Sequence, residues 1–266
     1  MELGTRALSA GEVLDTAFDL VRQNAVLLVG LAALIYLPIA LLTAGIDPKQ
    51  AQLDPSSVLT RGLPAILYGL LVAPIVSIAL IAVLGALARG RSTGFAAALR
   101  SGVVLLVPFA WASLLVLGIL LLALVPVAVV ALLWTRLPGL VRAAGVASGF
   151  VLPLLVALRF LLLGQVVVIE QARGAGALRR SAELLRGRAL RCFGILMLGG
   201  LLTGLLGMGV QLALGWLPVA GGLLVGLAQA VGVAYTSALG VVLYFDACAR
   251  EHAAGAAPIA APPASA

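Results

Sequence analysis

Uninterrupted apolar blocks alternate with short polar segments along the whole chain. The blocks lie at about 25–45, 64–87, 103–128, 146–169, 192–213 and 220–245. Each is long enough to cross a hydrocarbon core of about 30 Å, which needs roughly 20 helical residues. The residues from Leu114 to Val130 are apolar on every side, whereas a barrel strand alternates. The pattern therefore predicts an all-α, polytopic transmembrane helical bundle of about six spans.

The third block leaves two structures open. Apolar residues continue from Val103 to residue 134 and include Pro108, Gly118 and Pro126. The block is either one long tilted helix or a helix broken by a re-entrant turn.

Short amphipathic segments precede spans 1, 3 and 5. In the first, Ser9 and Glu12 have the spacing of a capping box, and Leu8 and Val13 that of a hydrophobic staple. Apolar and charged positions then separate onto two faces, with Leu14, Ala17, Phe18 and Val21 on one and Asp15, Asp19 and Arg22 on the other. We expect a helix that lies in the membrane interface.

A weak internal repeat accompanies these segments. Shifting the first segment by 164 positions pairs Leu14 with Leu178 and Arg22 with Arg186, and a fainter middle copy places Arg100 at the same point. The chain is predicted to contain three units of one interfacial helix and two spans. Because each unit has an even number of spans, every copy starts on the same side of the membrane, and the repeats are parallel.

Basic residues are distributed unevenly between alternate loops. With the N-terminus inside, the inner segments hold Arg6, Arg22, Arg89, Arg91, Arg100, Arg173, Arg179, Arg180, Arg186, Arg188, Arg191 and Arg250, and the outer loops hold Lys49, Arg61, Arg136 and Arg142. This bias predicts a multi-pass protein of the bacterial plasma (inner) membrane with both termini cytoplasmic. No cleavable signal peptide is expected, and Cys192 and Cys248 should stay reduced.

Residues 1–250 are predicted to form a single integral membrane domain. Residues 251–266 are rich in Ala and Pro, and we expect them to form a disordered cytoplasmic tail.

Arg159 is the charge placed deepest in an apolar block, about ten residues from Ile169 at the predicted cytoplasmic end of the fourth span. Such a charge is a candidate functional group, because it costs at least about 2.5 kcal/mol on insertion scales. Residues of similar depth complete a candidate intramembrane polar site of Arg159, Gln165, Gln229 and Tyr235. The alternative is that Arg159 merely ties two helices together.

Five arginines before the fifth span form a second candidate site, opposed by Glu183 alone. They are Arg179, Arg180, Arg186, Arg188 and Arg191. Such a cluster attracts anionic lipid headgroups, although topology determination alone would also explain it.

The residue inventory argues against an enzyme and predicts no cofactor or metal site. The one histidine, His252, is near the end of the chain, and no glycine run leads into a GKS or GKT triplet. The net charge of +7 is carried by short loops between spans, so we expect lipid and protein partners and no nucleic acid.

Three stretches resemble the bacterial membrane-domain family of glycerophosphoryl diester phosphodiesterases. They are LSAGEVLD at 8–15 with AFDLVRQN at 17–24, VVVIE at 166–170 with LRRSAELLRGR at 178–188, and YFDACARE at 244–251. The last resembles the family's tyrosine-x-aspartate ending, but has Ala247 and Cys248 where leucine and arginine are common. In two-domain members the hydrolase is a separate soluble barrel, so the resemblance implies a six-span protein without that activity.

Three functions remain open at this point. The first is a non-enzymatic membrane scaffold, anchor or regulatory domain. The second is a transporter or permease for lipids or small molecules, with a cavity near Arg159. The third is a membrane enzyme acting on lipid headgroups, which requires Glu170 and Asp246 to converge with an arginine.

Overall fold

The structure is a computed structural model that describes residues 6–43, 55–133, 138–253 and 255, without the side chains of residues 55–61, 142 and 218. All regular elements in these ranges are helices. They are α1 Ala10–Gln23, α2 Ala25–Thr43, α3 Pro55–Ala88, α4 Phe95–Val104, α5 Leu106–Ala123, α6 Val125–Leu132, α7 Gly139–Arg159, α8 Leu163–Ile169, α9 Gly174–Leu184, α10 Ala189–Leu214 and α11 Pro218–Ala253.

Six stretches in the described part of the chain are long and apolar enough to cross a membrane. They are Ala25–Thr43, Gly62–Ala88, Leu106–Leu132, Gly139–Ile169, Ala189–Leu214 and Val219–Ala253. The predicted all-α transmembrane bundle is therefore confirmed. The structure makes the chain a multi-pass integral membrane protein.

The third span, Leu106–Leu132, consists of two helices, α5 and α6, joined at Leu124. Leu124 joins α5 to α6 with right-handed helical dihedral angles (φ −86°, ψ −10°). Pro126 has no N–H to donate to the preceding turn, which explains why the hydrogen-bond ladder is irregular at this point. The span runs through Leu124 without a reversal and begins at Leu106, because α4 takes up the residues before it, and its tilt stays a prediction.

Short helices precede the odd-numbered spans, as predicted. α1 leads into the first span, α4 into the third and α9 into the fifth. The capping box of α1 is present: the Ser9 N–H donates to Glu12 Oε2 at 2.7 Å, and the Glu12 N–H donates to Ser9 Oγ at 3.3 Å. The order of one short helix and two spans therefore occurs three times, and the sequence similarity between the copies stays a prediction.

The chain folds into two compact units. Of the described residues, the first comprises those from 6 to 106 and from 194 to 255, and the second those from 107 to 193. The sequence predicted one domain over residues 1–250 and a tail beyond it. α11 continues through Ala253, three residues into that predicted tail, and the rest of the tail except Gly255 lies outside the described residues.

The first unit is built around α2, α3 and α11, with α1 packed on α11. Its fully buried side chains include Leu28, Leu31, Leu80, Leu84, Leu239 and Leu243. Gly226 lets α11 approach α2 closely, since a Cβ added there would lie 3.2 Å from the Tyr36 carbonyl oxygen.

In the second unit, α6 packs against α7 and α8 against α9. Gly145 and Gly149 lie one turn apart on α7 and face Val130 and Val127 of α6. A Cβ added at either glycine would collide with the facing valine, so the two helices approach through small residues.

Candidate functional site

A hydrogen-bonded link joins the segment before α1 to the end of α11. The Leu8 N–H donates to Asp246 Oδ1 at 2.7 Å, and Arg250 Nη2 donates to the Leu8 carbonyl oxygen at 2.6 Å. Arg250 Nε also donates to both Asp246 oxygens, at 3.1 and 3.0 Å. We call Leu8, Asp246 and Arg250 the terminal strap.

In the terminal strap, both the N–H and the carbonyl oxygen of Leu8 are hydrogen-bonded, and the carboxylate of Asp246 is buried. The Asp246 side chain is 2% exposed, and its two oxygens are held by the Leu8 amide and by Arg250. A buried carboxylate is tolerable only with such partners. The segment before α1 and the end of α11 consequently lie on one side of the membrane.

Packing continues the link along α1. Val13, Thr16, Ala17 and Val21 are buried, and Tyr235 of α11 donates its hydroxyl to the Leu14 carbonyl oxygen at 3.5 Å. Phe18, predicted on the apolar face, is 57% exposed at the border of the buried face. An exposed aromatic ring on a helix in this position suits contact with lipid.

Arg159 is the last residue of α7, inside the fourth span Gly139–Ile169. α7 starts at Gly139, earlier than predicted, and its 21 residues end at Arg159, before a turn at 160–162. At 1.5 Å per residue α7 alone is about 31 Å long, the thickness of a hydrocarbon core. The last turn of a helix also favours a cation, because the helix dipole is negative there.

The amphipathic helix α9 lies beside Arg159. Ser181, fully buried on α9, donates its hydroxyl to the Arg159 carbonyl oxygen at 3.5 Å. This contact joins the end of α7 to α9, and the Arg159 side chain is exposed beside it.

An open cavity of about 430 Å³, the arginine groove, runs between the end of α7 and α9. It is lined by Ile119, Arg159, Phe160, Ala175, Leu178, Arg179, Ala182, Glu183 and Arg186. Its volume lies within the range of small-molecule binding sites.

Positive charge dominates the arginine groove. Arg179 Nε donates to Glu183 Oε1 at 2.8 Å, but the Arg179 side chain is 84% exposed, so the pair is weak. Arg159 and Arg186 have no ion pair within the described residues. Three guanidinium groups therefore face one carboxylate, and the groove can accept an anion.

A second cavity, the apolar groove, continues from the first along the membrane-spanning parts of α5 and α7. It has a volume of about 360 Å³ and shares Ile119, Arg159 and Phe160 with the arginine groove. Its other lining residues are Leu122, Ala123, Leu152, Leu155 and Val156. The charged and apolar cavities thus meet at Arg159.

The remaining arginines of the predicted cluster have different surroundings. Arg180 donates to both Glu170 oxygens at 3.2 and 3.3 Å, with side chains 12% and 19% exposed, so it closes α9 against the end of α8. Arg188 and Arg191 are half-buried around the start of α10 and take part in further interactions.

The predicted intramembrane site is divided between the units. Arg159 and Gln165 belong to the second unit, and Gln229 and Tyr235 to the first. Gln229 lies against Gly207, whereas the Tyr235 hydroxyl is bonded to Leu14. The convergence of these four residues stays a prediction.

The two carboxylates of the enzyme hypothesis each have their own arginine partner. Glu170 is held by Arg180 in the second unit, and Asp246 by Arg250 in the first. Within the described residues no three His, Cys, Asp or Glu side chains are grouped to hold a metal ion.

Sequence reasoning missed Ser181 and Phe160 as parts of the site. The helical spacing of Ala177, Ser181 and Leu184 was a usable signal, because these residues form the buried face of α9. The turn after Arg159 carried no such signal, since it falls within a run of apolar residues.

Comparison with known proteins adds no relative: no protein-family model, curated protein or solved structure matches the chain.

Proposed function

We propose that this membrane protein is a non-enzymatic scaffold or regulatory domain of the bacterial inner membrane, which holds a partner protein at its cytoplasmic face. The terminal strap carries the proposal. It joins the segment before α1 to the end of α11, and this bond, with the packing of α1 on α11, holds the charged face of α1 in one position.

The polar face of α1 supports this function. Asp15, Asp19 and Arg22 are exposed or half-buried, on the side opposite the buried Val13 and Ala17. A charged surface on a rigid interfacial helix suits recognition of a complementary protein surface. The cytoplasmic orientation is supported by the excess of arginine on this side.

Photo-crosslinking in cells tests the proposal. A photoreactive amino acid at Asp19 or Arg22 should give a discrete protein adduct, whereas the same amino acid at Leu70, an exposed side chain of the second span, should give only lipid adducts. Asp246→Ala, which releases the strap, should abolish the adduct at Asp19 while the chain still inserts. Identical adducts with and without Asp246, or none at either α1 position, would overturn the proposal.

The arginine groove favours a lipid or small-molecule permease as a second candidate. A permease needs access to its site from both sides of the membrane, and Arg159 lies beside α9. Arg159→Cys, in a chain with Cys192→Ser and Cys248→Ser, tests this: labelling by an impermeant reagent from both sides supports a pathway, and labelling from one side only contradicts one.

A further inference from the structure

We infer that the arginine groove and the apolar groove together form a binding site for one anionic phospholipid of the membrane leaflet that lies next to α9. This inference concerns the second unit and does not depend on the terminal strap. The headgroup phosphate would lie between Arg159 and Arg186, and an acyl chain would follow the apolar groove along α7.

Charge selects the headgroup. Arg159, Arg179 and Arg186 line one cavity with the single carboxylate of Glu183, and Arg179 already shares that carboxylate. Arg159 and Arg186 lack a carboxylate partner among the described residues. Guanidinium groups bind phosphate through paired hydrogen bonds, so these two arginines match a phosphodiester.

The adjoining cavity selects an amphiphile over a free anion. The apolar groove meets the arginine groove at Arg159 and Phe160 and is otherwise lined by aliphatic side chains of α5 and α7. A soluble anion would leave this cavity unused, whereas an acyl chain would fill it and bury apolar surface.

The site lies where phospholipids of the bilayer can reach it. α9 is an amphipathic helix between the fourth and fifth spans, and its Ser181 donates to the Arg159 carbonyl oxygen. The charged end of the site therefore lies where phospholipid headgroups lie, and the apolar end lies where their acyl chains lie. A lipid can enter sideways because both cavities are open.

The site also explains a contrast within the arginine cluster. Arg180, next to Arg179 in sequence, is largely buried against Glu170 and cannot contact the groove. A general attraction to anionic membranes would use the exposed arginines alike, whereas a built site uses Arg159 and Arg186 in particular.

Native mass spectrometry of the purified full chain in detergent tests the inference, with dioleoyl phosphatidylglycerol and dioleoyl phosphatidylcholine as probes. Phosphatidylglycerol should bind at least about tenfold more tightly. Arg159→Gln and Arg186→Gln should each weaken that binding about tenfold, the size of one lost charge-assisted contact, and leave phosphatidylcholine unchanged. The matched control Arg173→Gln, an exposed arginine at the other end of α9, should change it less than twofold.

Filling the apolar groove separates a lipid from a free anion. Ala123→Phe should weaken phosphatidylglycerol binding about tenfold, and millimolar inorganic phosphate should fail to displace the lipid. If Ala123→Phe does not fold, Leu122→Trp fills the same cavity from a side chain that is 70% exposed. Displacement by phosphate, equal binding of the two lipids, or an equal loss in Arg173→Gln would overturn the inference.

Discussion

The Leu8 N–H donates to Asp246 Oδ1 at 2.7 Å, which joins two residues 238 positions apart. Leu8 contributes only its backbone, so the contact does not depend on the Leu8 side chain. It depends on the side chains of Asp246 and of Arg250, which donates to the Leu8 carbonyl oxygen.

Asp246→Ala should destabilise the protein by about 3 kcal/mol, because it removes the acceptor of the Leu8 amide and the carboxylate that pairs with the partly buried Arg250. SDS titration in mixed micelles measures the free energy of unfolding, and trypsin cleavage after Arg22 should accelerate. Glu183→Gln, which removes an exposed partner, is the control and should change stability by less than about 0.5 kcal/mol. Equal stability of the two variants would show that the terminal strap is not important for folding.

The capped start of α1 should loosen only in strong acid. Hydrogen bonds from the Ser9 backbone and side chain, and then from Arg6, lower the pKa of Glu12 from 4.5 to about 2. Since the folded pKa is the lower one, this contribution to stability is complete above about pH 4.5 and is lost as the pH falls through about 2.

Amide protection factors of the first turn of α1, measured by hydrogen exchange between pH 6 and pH 2, check this. Glu12→Gln keeps an acceptor for the Ser9 N–H but cannot titrate, so its protection should vary less with pH. A profile that Glu12→Gln leaves unchanged would assign the loosening to another group.

Adjacent arginines on α9 should differ in their effect on stability. Arg180→Gln removes the guanidinium that pairs with Glu170, at a site where both side chains are less than one-fifth exposed, which should cost about 2–3 kcal/mol. Arg179→Gln should cost less than about 0.5 kcal/mol, because its pair is exposed. Unfolding by SDS of the two variants in parallel measures the difference, and equal effects would contradict the described burial.

Gly145→Ala should destabilise the protein by about 1–3 kcal/mol, since the new Cβ collides with the stiff side chain of Val130. Adding Val130→Ala should recover part of the loss, which a double-mutant cycle measures. Gly118→Ala is the control: nothing lies within 4 Å of its added Cβ, so stability should stay equal or rise. Additive effects at positions 145 and 130 would show that the two helices do not meet there.

Local features of the chain could be predicted from sequence because their causes are local. The six spans follow from the length of apolar runs, and the capping box follows from Ser9 and Glu12, three residues apart. The order of short helices and spans follows from the same patterns.

The arginine groove depends on where α7 ends and on which helix faces meet, and the pattern of apolar residues along the chain shows neither. Pro153 lies inside α7 without ending it, whereas the helix ends at Arg159 in an apolar run with no proline. The turn after Arg159 was not predicted for this reason, and the depth of Arg159 in the membrane stays a prediction. Likewise, Gly145 and Gly149 were not selected among the many glycines of the chain, because sequence alone does not show which helix faces meet.

The separation of Leu8 and Asp246 has a consequence for synthesis on the ribosome. Leu8 is made 238 residues before Asp246, its hydrogen-bonding partner at the end of the sixth span. At about 5–20 residues per second, α1 waits roughly 10–50 s for the strap to become possible. Closure of the strap thus reports that all six helices have been inserted, and a truncated chain would leave α1 exposed to proteases of the cell.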